Sequence, residues 1–132
     1  MLISRPTPEA GPWVGFICFI FMVDDFRHDN GATRFLPGSH LWSTVPIVLL
    51  GDLKADYASQ VQACSPAGSM IVFNGSAWHG HTVNRSGQSR RSLQGAYIRR
   101  DAESGENLPA RMLPETLARI SPPAKYLLAV PE

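Results

Sequence analysis

The 132-residue sequence lacks the features that mark several common functional classes. Its two cysteines, Cys18 and Cys64, form no CxxC pair, so it has no cysteine cluster, and we expect no disulfide. Twelve Lys and Arg against eleven Asp and Glu leave a net charge of +1, without the basic stripe that nucleic-acid binding requires. GxSxG, P-loop and GxGxxG motifs are also missing. Metal chemistry is therefore the class left with visible candidates.

The sequence also lacks an apolar segment long enough to cross a bilayer. Residues 13–23 form an unbroken apolar run, but a transmembrane helix needs about 20 residues. No basic region precedes the run, and Asp24 and Asp25 follow it instead of a cleavage site. We expect a strand that is buried on both faces, and a cytoplasmic protein.

Short apolar segments separated by turn residues dominate the first hundred positions. Asn30-Gly31 and the segment 37–40 (PGSH) indicate tight turns, because glycine and asparagine tolerate positive φ angles. Strands are expected at residues 13–23, 32–36, 69–74 and 90–99. The pattern is typical of an all-β sandwich or barrel.

Helices are expected to be short and peripheral. One is predicted over residues 52–63, with Asp52 as its N-cap, and another over 113–120. The length favours one domain spanning residues 1–132, in which the core occupies 13–100 and a tail occupies 101–132.

His79 and Arg90 are the strongest candidates for a functional site. They stand eleven positions apart, which predicts a hairpin that brings both to neighbouring strands near one mouth of a barrel. An imidazole suits a metal ion, and a guanidinium suits a distal carboxylate. Because side chains alternate along a strand, Arg90, Ser92 and Gln94 should share one face, which would give a small anionic cosubstrate a polar surface.

Two blocks of the sequence resemble the phytanoyl-CoA dioxygenase-like family. The first contains the segments 24–26 (DDF), 29–33 (DNGAT) and 35–40 (FLPGSH). The second contains Trp78-His79-Gly80, then Asn84, and then Arg90 and Arg91. The resemblance covers about residues 13–100.

The resemblance implies a double-stranded β-helix, which is a cupin-like jelly roll. It also implies Fe(II), held by two histidines and one carboxylate, with 2-oxoglutarate as the cosubstrate. On this basis His79 is the distal iron ligand, and Arg90 anchors the far carboxylate of 2-oxoglutarate. Arg91 is the alternative anchor if the register shifts by one residue. Asn84 shapes the turn or contacts the pocket, and Ser92 shares the Arg90 face.

Two departures from the family pattern stand out. The family places a His-x-Asp pair upstream of the strand predicted at 13–23, but no histidine precedes His28. The segment 28–30 (HDN) ends in Asn and lies in a turn, so it does not supply the pair. We therefore expect an N-terminally truncated enzyme that lacks two of its three iron ligands. The second departure is His81, at a position that is often small in the family, where it would crowd the pocket or add a ligand.

Three interpretations remain open. The first is a dioxygenase that hydroxylates a small organic substrate while 2-oxoglutarate is oxidised to succinate and carbon dioxide. The second is a catalytically inactive jelly-roll homologue or fragment that binds at most a small acid. The third is a cupin-like metal-binding protein that uses His79 and His81. None of them involves nucleic acid or a membrane as partner, and the exposed strand edges of an incomplete barrel favour a homo-oligomer.

Overall fold

The computed structural model describes residues 16–44, 51–52, 54–100 and 107–130. The chain divides into two compact units, residues 1–99 and residues 100–132. In the described residues, the first unit contains six strands: β1 (Phe16–Met22), β2 (Thr33–Phe35), β3 (Val61–Gln62), β4 (Met70–Asn74), β5 (His79–His81) and β6 (Ser92–Ile98). The mainly β architecture with short helices agrees with the sequence-based prediction.

The six strands form two antiparallel sheets of three strands each. The first sheet has the order β4-β1-β6, and the second has the order β3-β2-β5. The apolar run therefore supplies the central strand of the first sheet, where Ile20 lies opposite both Ile71 and Gln94. In the second sheet β2 is central, and Phe35 lies opposite both Val61 and His79.

The core lies between the two sheets. Ile20, Met22, Phe26 and Ala32 form its buried cluster, against which Phe35, Cys64, Ile71 and Phe73 are packed. Members of β1 and β4 thus meet a member of β2 across the interior. This packing explains the composition of the apolar segments, because β1, β2 and β4 each turn side chains into the cluster.

The prediction that the first strand is buried on both faces is wrong for its described part. Ile20 is 3% exposed, but Ile17 is 54% exposed and Phe21 is 36% exposed. The alternation along β1 turns these two side chains to the outer face of the sheet. An apolar run shows that a strand is central, but it does not show that a second layer covers it. Residues 13–15 lie outside the described residues.

The helix predicted over residues 52–63 is also wrong for the described part of that segment, which forms turns and then β3. The side chain of Asp52 accepts a hydrogen bond from the backbone N–H of Lys54, a local bond that competes with helix formation. Gln60 likewise accepts from the backbone N–H of Tyr57. Pairing of Val61 with Phe35 then extends the chain as a strand.

The second unit contains three short helices in its described residues. They are α1 (Leu108–Arg111), α2 (Pro114–Arg119) and α3 (Pro122–Leu127), so the helix predicted at 113–120 is present as α2. Each begins with proline in its first turn, where the missing N–H is not needed. The prediction of a tail missed α1 and α3, whose caps are the side chains of Asn107 and Ser121. No helix among the described residues is long and apolar enough to cross a bilayer.

Candidate functional site

The start of β5 is fixed by contacts of Trp78, the residue before His79. Trp78 is 1% exposed, and its backbone N–H donates to the hydroxyl of Ser39 at 2.8 Å. Its carbonyl accepts from the backbone N–H of Leu36 at 2.9 Å. The segment 37–40 therefore does more than form a turn, because it holds the position from which His79 projects.

The imidazole of His79 is half-buried and has a defined orientation. Its Nδ1 lies 2.8 Å from the carbonyl oxygen of Ala77. A carbonyl can only accept, so Nδ1 carries the proton and Nε2 carries the lone pair. The ring contacts Phe73, with centroids 4.8 Å apart, and stacks on Phe35 at 5.9 Å. A histidine that binds metal through Nε2 is usually held in this way.

Arg90 precedes β6 and has a half-buried guanidinium. The carbon at its centre lies 3.9 Å from the centroid of the Phe26 ring, and Nη2 donates to the carbonyl of Gly31 at 3.1 Å. Nε and Nη1 are buried, and neither has a hydrogen-bond partner in the described part of the chain. Burial lowers the pKa of Arg90 from its usual value, and nearby Asp24 opposes that effect. The group is thus a fixed cation with unused donors.

Arg91 is bound differently from Arg90. Its Nη2 donates to Oδ1 of Asp24 at 2.7 Å, and its Nε and backbone N–H both donate to Oδ2. These bonds lower the pKa of Asp24 to about 2. Because this exposed guanidinium already has a carboxylate, the geometry favours Arg90 over Arg91 as an anchor for an external acid.

Arg90 lies at a cavity of about 990 Å³. The described residues that line the cavity include four cationic side chains and two carboxylates: Arg34, Lys54, Arg85, Arg90, Asp52 and Asp56. His28, His81 and Asn84 also line it, whereas His79 is not among the described lining residues. Both candidates do border the apolar core cluster, His79 through Phe35 and Phe73 and Arg90 through Phe26. Their joint action in one cavity stays a prediction.

The predicted hairpin between neighbouring strands is wrong. β5 belongs to the second sheet and β6 to the first, so the residues between them cross from one sheet to the other. Asn84 organises this crossing: its Nδ2 donates to the carbonyl of Gln88, and its Oδ1 accepts from the backbone N–H and hydroxyl of Ser86. Both ends of the Asn84 amide are therefore used within the loop.

The other predicted site residues occupy two places. Ser92 is half-buried and lies opposite Met22, and Gln94 lies opposite Ile20, so both share the inner face of the first sheet with core residues. His81 is exposed and lies opposite Thr33 in the second sheet. Since His79 and His81 are two residues apart on one strand, they share a face.

The described residues do not form an iron site by themselves. They contain no group of three His, Cys, Asp or Glu side chains arranged to hold a metal ion. His79 offers one donor, and its apolar neighbours Phe35 and Phe73 offer none. A complete set of iron ligands would need donors beyond those that the structure describes.

The sequence analysis missed one buried polar residue next to the site. Arg34 is 3% exposed, and its Nη1 donates to the carbonyl of Ala55 at 2.8 Å and to the carboxylate of Asp56 at 3.2 Å. It holds the irregular segment 54–60 against β2. The available signal was an arginine inside a short apolar strand, which is uncommon unless the charge is paired.

Comparisons with known proteins show which family this chain resembles. The family model of phytanoyl-CoA dioxygenase (PhyH) matches residues 6–92. The dioxygenase cdmA of Talaromyces verruculosus is 42% identical over 77 residues, which are 58% of this chain and 24% of that protein. The dioxygenase andF of Emericella variicolor is 31% identical over 102 residues, which are 75% of this chain and 34% of that protein. The chain thus spans a quarter to a third of the length of these relatives.

A solved structure supports the fold. The structure of a non-heme monooxygenase, the ThoJ–Ni complex, aligns with a TM-score of 0.51 and 24% identity, over 64% of this chain and 30% of that chain. The two packed antiparallel sheets, together with this likeness and the matched family model, confirm the predicted jelly-roll fold.

Proposed function

Because the chain belongs to the phytanoyl-CoA dioxygenase (PhyH) family, we propose that it supplies the cosubstrate-binding part of an Fe(II)- and 2-oxoglutarate-dependent dioxygenase. One observation carries the proposal: Arg90 has buried Nε and Nη1 donors without hydrogen-bond partners in the described residues. A buried donor left unsatisfied costs about 1–3 kcal/mol, so such groups mark places where a ligand completes the structure.

A carboxylate is the ligand that best completes Arg90. A guanidinium keeps its charge in proteins, and its Nε–H forms a planar fork with the neighbouring N–H of Nη2 that matches two carboxylate oxygens, as Arg91 shows with Asp24. The Phe26 ring and the Gly31 carbonyl fix the plane of this fork before any ligand arrives. Fixing the donor in advance reduces the entropy lost on binding. The proposal therefore assigns the distal carboxylate of 2-oxoglutarate to Arg90.

His79 is proposed as one iron ligand, through Nε2. The hydrogen bond from Nδ1 to the Ala77 carbonyl leaves the correct nitrogen available, and Phe35 and Phe73 restrict rotation of the ring. The described residues supply only this donor, so the other two ligands are assigned to further parts of the whole protein. In the described residues, Arg90 would bind the acid and the Ala77 carbonyl would orient the imidazole of His79. The apolar core cluster would keep water away from both side chains.

Isothermal titration of the chain with 2-oxoglutarate tests the proposal. A charge-assisted, two-point contact contributes roughly 1.5–3 kcal/mol, so Arg90→Met should weaken binding about 10- to 150-fold. Arg91→Met is the matched control, because it removes a neighbouring guanidinium that Asp24 already pairs. Equal losses in both variants would point to general charge attraction and contradict the assigned role of Arg90.

A non-catalytic, acid-binding homologue is the second candidate function. It is favoured by the absence of a three-residue metal group from the described residues. Iron-dependent formation of succinate from 2-oxoglutarate separates the two candidates, since only the dioxygenase produces it. Metal titration also tests the cupin-like alternative, in which His81→Ala removes bound metal; in the dioxygenase, His79→Ala does so and His81→Ala does not.

The remaining expectations belong to the same proposal. The substrate is proposed to be a small organic molecule, the location the cytoplasm, and the assembly a homo-oligomer formed through exposed strand edges. The identities of the matched relatives, 31% and 42%, support an oxygenase without specifying a substrate.

A further inference from the structure

A series of hydrogen bonds holds His28, which lies in the turn that the sequence predicts at residues 28–30. Its Nδ1 lies 2.6 Å from Oε1 of Gln62, in β3. Nε2 of Gln62 donates to the hydroxyl of Thr82 at 2.8 Å, and that hydroxyl donates to the carbonyl of Ala32 at 2.9 Å. Three separate segments therefore cooperate to orient one exposed imidazole.

The donor and acceptor in each of these hydrogen bonds follow from the final acceptor, the Ala32 carbonyl. The Ala32 carbonyl can only accept, so the single hydroxyl proton of Thr82 points to it. The Thr82 oxygen must then accept from the amide nitrogen of Gln62, which turns the amide oxygen toward His28. Because that oxygen can only accept, Nδ1 of His28 carries a proton. Neutral His28 is thus fixed with its lone pair on Nε2.

His28 lines the same cavity as Arg90. The cationic residues there, Arg34, Lys54, Arg85 and Arg90, present only donors, whereas the neutral imidazole presents an acceptor. Asp52, Asp56 and several side-chain amides also line the cavity and can accept hydrogen bonds. Cationic donors beside acceptors match an acid that also carries a hydroxyl group, and His28 is an acceptor whose orientation the hydrogen bonds fix. We propose that His28 is a ligand-binding residue, and that its Nε2 accepts a hydrogen bond from the hydroxyl of an organic hydroxy acid held in the cavity.

The inference rests on the proposed acid-binding role of Arg90 and adds a second class of ligand. Because 2-oxoglutarate carries no hydroxyl group, the hydroxy acid would compete with it for Arg90. Gln62 and Thr82 are positioning residues in it, because they act on the ligand only through His28. The hydrogen bond at Nδ1 sets which ring nitrogen of His28 carries the lone pair, so Nε2 is the nitrogen that is available to a ligand.

Nitrogen-15 NMR of the imidazole tests the orientation in the full chain. The Nδ1–H tautomer is expected for His28 in the unsubstituted protein at a pH where the ring is neutral. Gln62→Met removes the acceptor, so His28 should then take the Nε2–H form that dominates for histidine in water. An Nε2–H tautomer in the unsubstituted protein, or no change in Gln62→Met, would overturn the inference.

Calorimetry with succinate and malate tests the ligand class, since the two acids differ by a hydroxyl group. Malate should bind about fivefold more tightly than succinate, the ratio expected for one net hydrogen bond. His28→Phe should remove this preference and leave succinate binding unchanged, whereas Arg90→Met should weaken both acids.

The outcomes separate the two proposals. Binding of both acids without a preference, or a preference that survives in His28→Phe, would overturn the role of His28 alone. Failure of both acids to bind would overturn the acid-binding role of Arg90 as well.

Discussion

Replacement of Gly31 by alanine should destabilise the first unit and disturb Arg90 at the same time. Gly31 has a φ of +80°, and a Cβ built there would lie 3.2 Å from the Thr82 carbonyl oxygen and 3.3 Å from Cβ of Asn84. The left-handed conformation alone costs a non-glycine residue about 1–2 kcal/mol. The hydrogen-bonded loop at Asn84 resists moving away, so we expect a total loss of roughly 2–3 kcal/mol, at the upper end of the ordinary range for single mutations.

Gly38 provides a matched control for this prediction. Its φ of +81° is nearly the same, but among the described residues no atom beyond its chain neighbours lies within 4 Å of a Cβ built there. Gly38→Ala should therefore lose only the unfolding free energy that the left-handed backbone conformation costs, about 1–2 kcal/mol. Urea denaturation of both variants measures the difference, and titration with 2-oxoglutarate shows whether the Gly31 carbonyl still holds Arg90. Equal destabilisation of the two variants would refute the argument from close contacts.

Three further predictions concern other parts of the first unit. The pKa of Asp24 is lowered to about 2, so its ion pair with Arg91 stabilises the folded state above about pH 4. That stabilisation is lost as the pH falls from about 4 through about 2. Over this pH range the urea midpoint of unfolding should fall more for the unsubstituted chain than for Asp24→Asn. Trp78→Ala should lower the unfolding free energy by about 3–5 kcal/mol in the same assay, because Trp78 is 1% exposed. Burial raises the pKa of the Cys18 and Cys64 thiols, so both should react with iodoacetamide more slowly than free cysteine, as followed by mass spectrometry.

The strands were predictable because their signal is local. Glycines 31 and 38 mark turns by their left-handed backbone, and β1, β2, β4 and β6 lie within two residues of their predicted bounds in the described regions. The short strand β5 was not among the predicted strands. The segment 52–63 was mispredicted, because its composition suits a helix, while pairing of Val61 with Phe35 and side-chain bonds to the backbone decide its structure. Such tertiary pairing leaves no periodicity in the sequence.

For the site, the sequence indicates candidate residue types but not their geometry. The spacing of His79 and Arg90 indicated a shared location, but spacing cannot show that the strands they adjoin belong to different sheets. Arg91 pairs with Asp24, which is far away in the sequence, so the sequence by itself does not exclude Arg91 as the anchor for an external carboxylate. His28 was missed for the same reason, since its partner Gln62 lies on another strand.

The central claim is that a carboxylate accepts from the buried Nε–H of Arg90, and NMR of the arginine Nε–H groups tests it most directly. Addition of 2-oxoglutarate should move the Arg90 Nε–H signal downfield and slow its exchange with water, while the Arg91 signal, already paired with Asp24, stays in place. An Arg90 signal that does not respond at saturating 2-oxoglutarate, or that responds equally to chloride, would contradict the account.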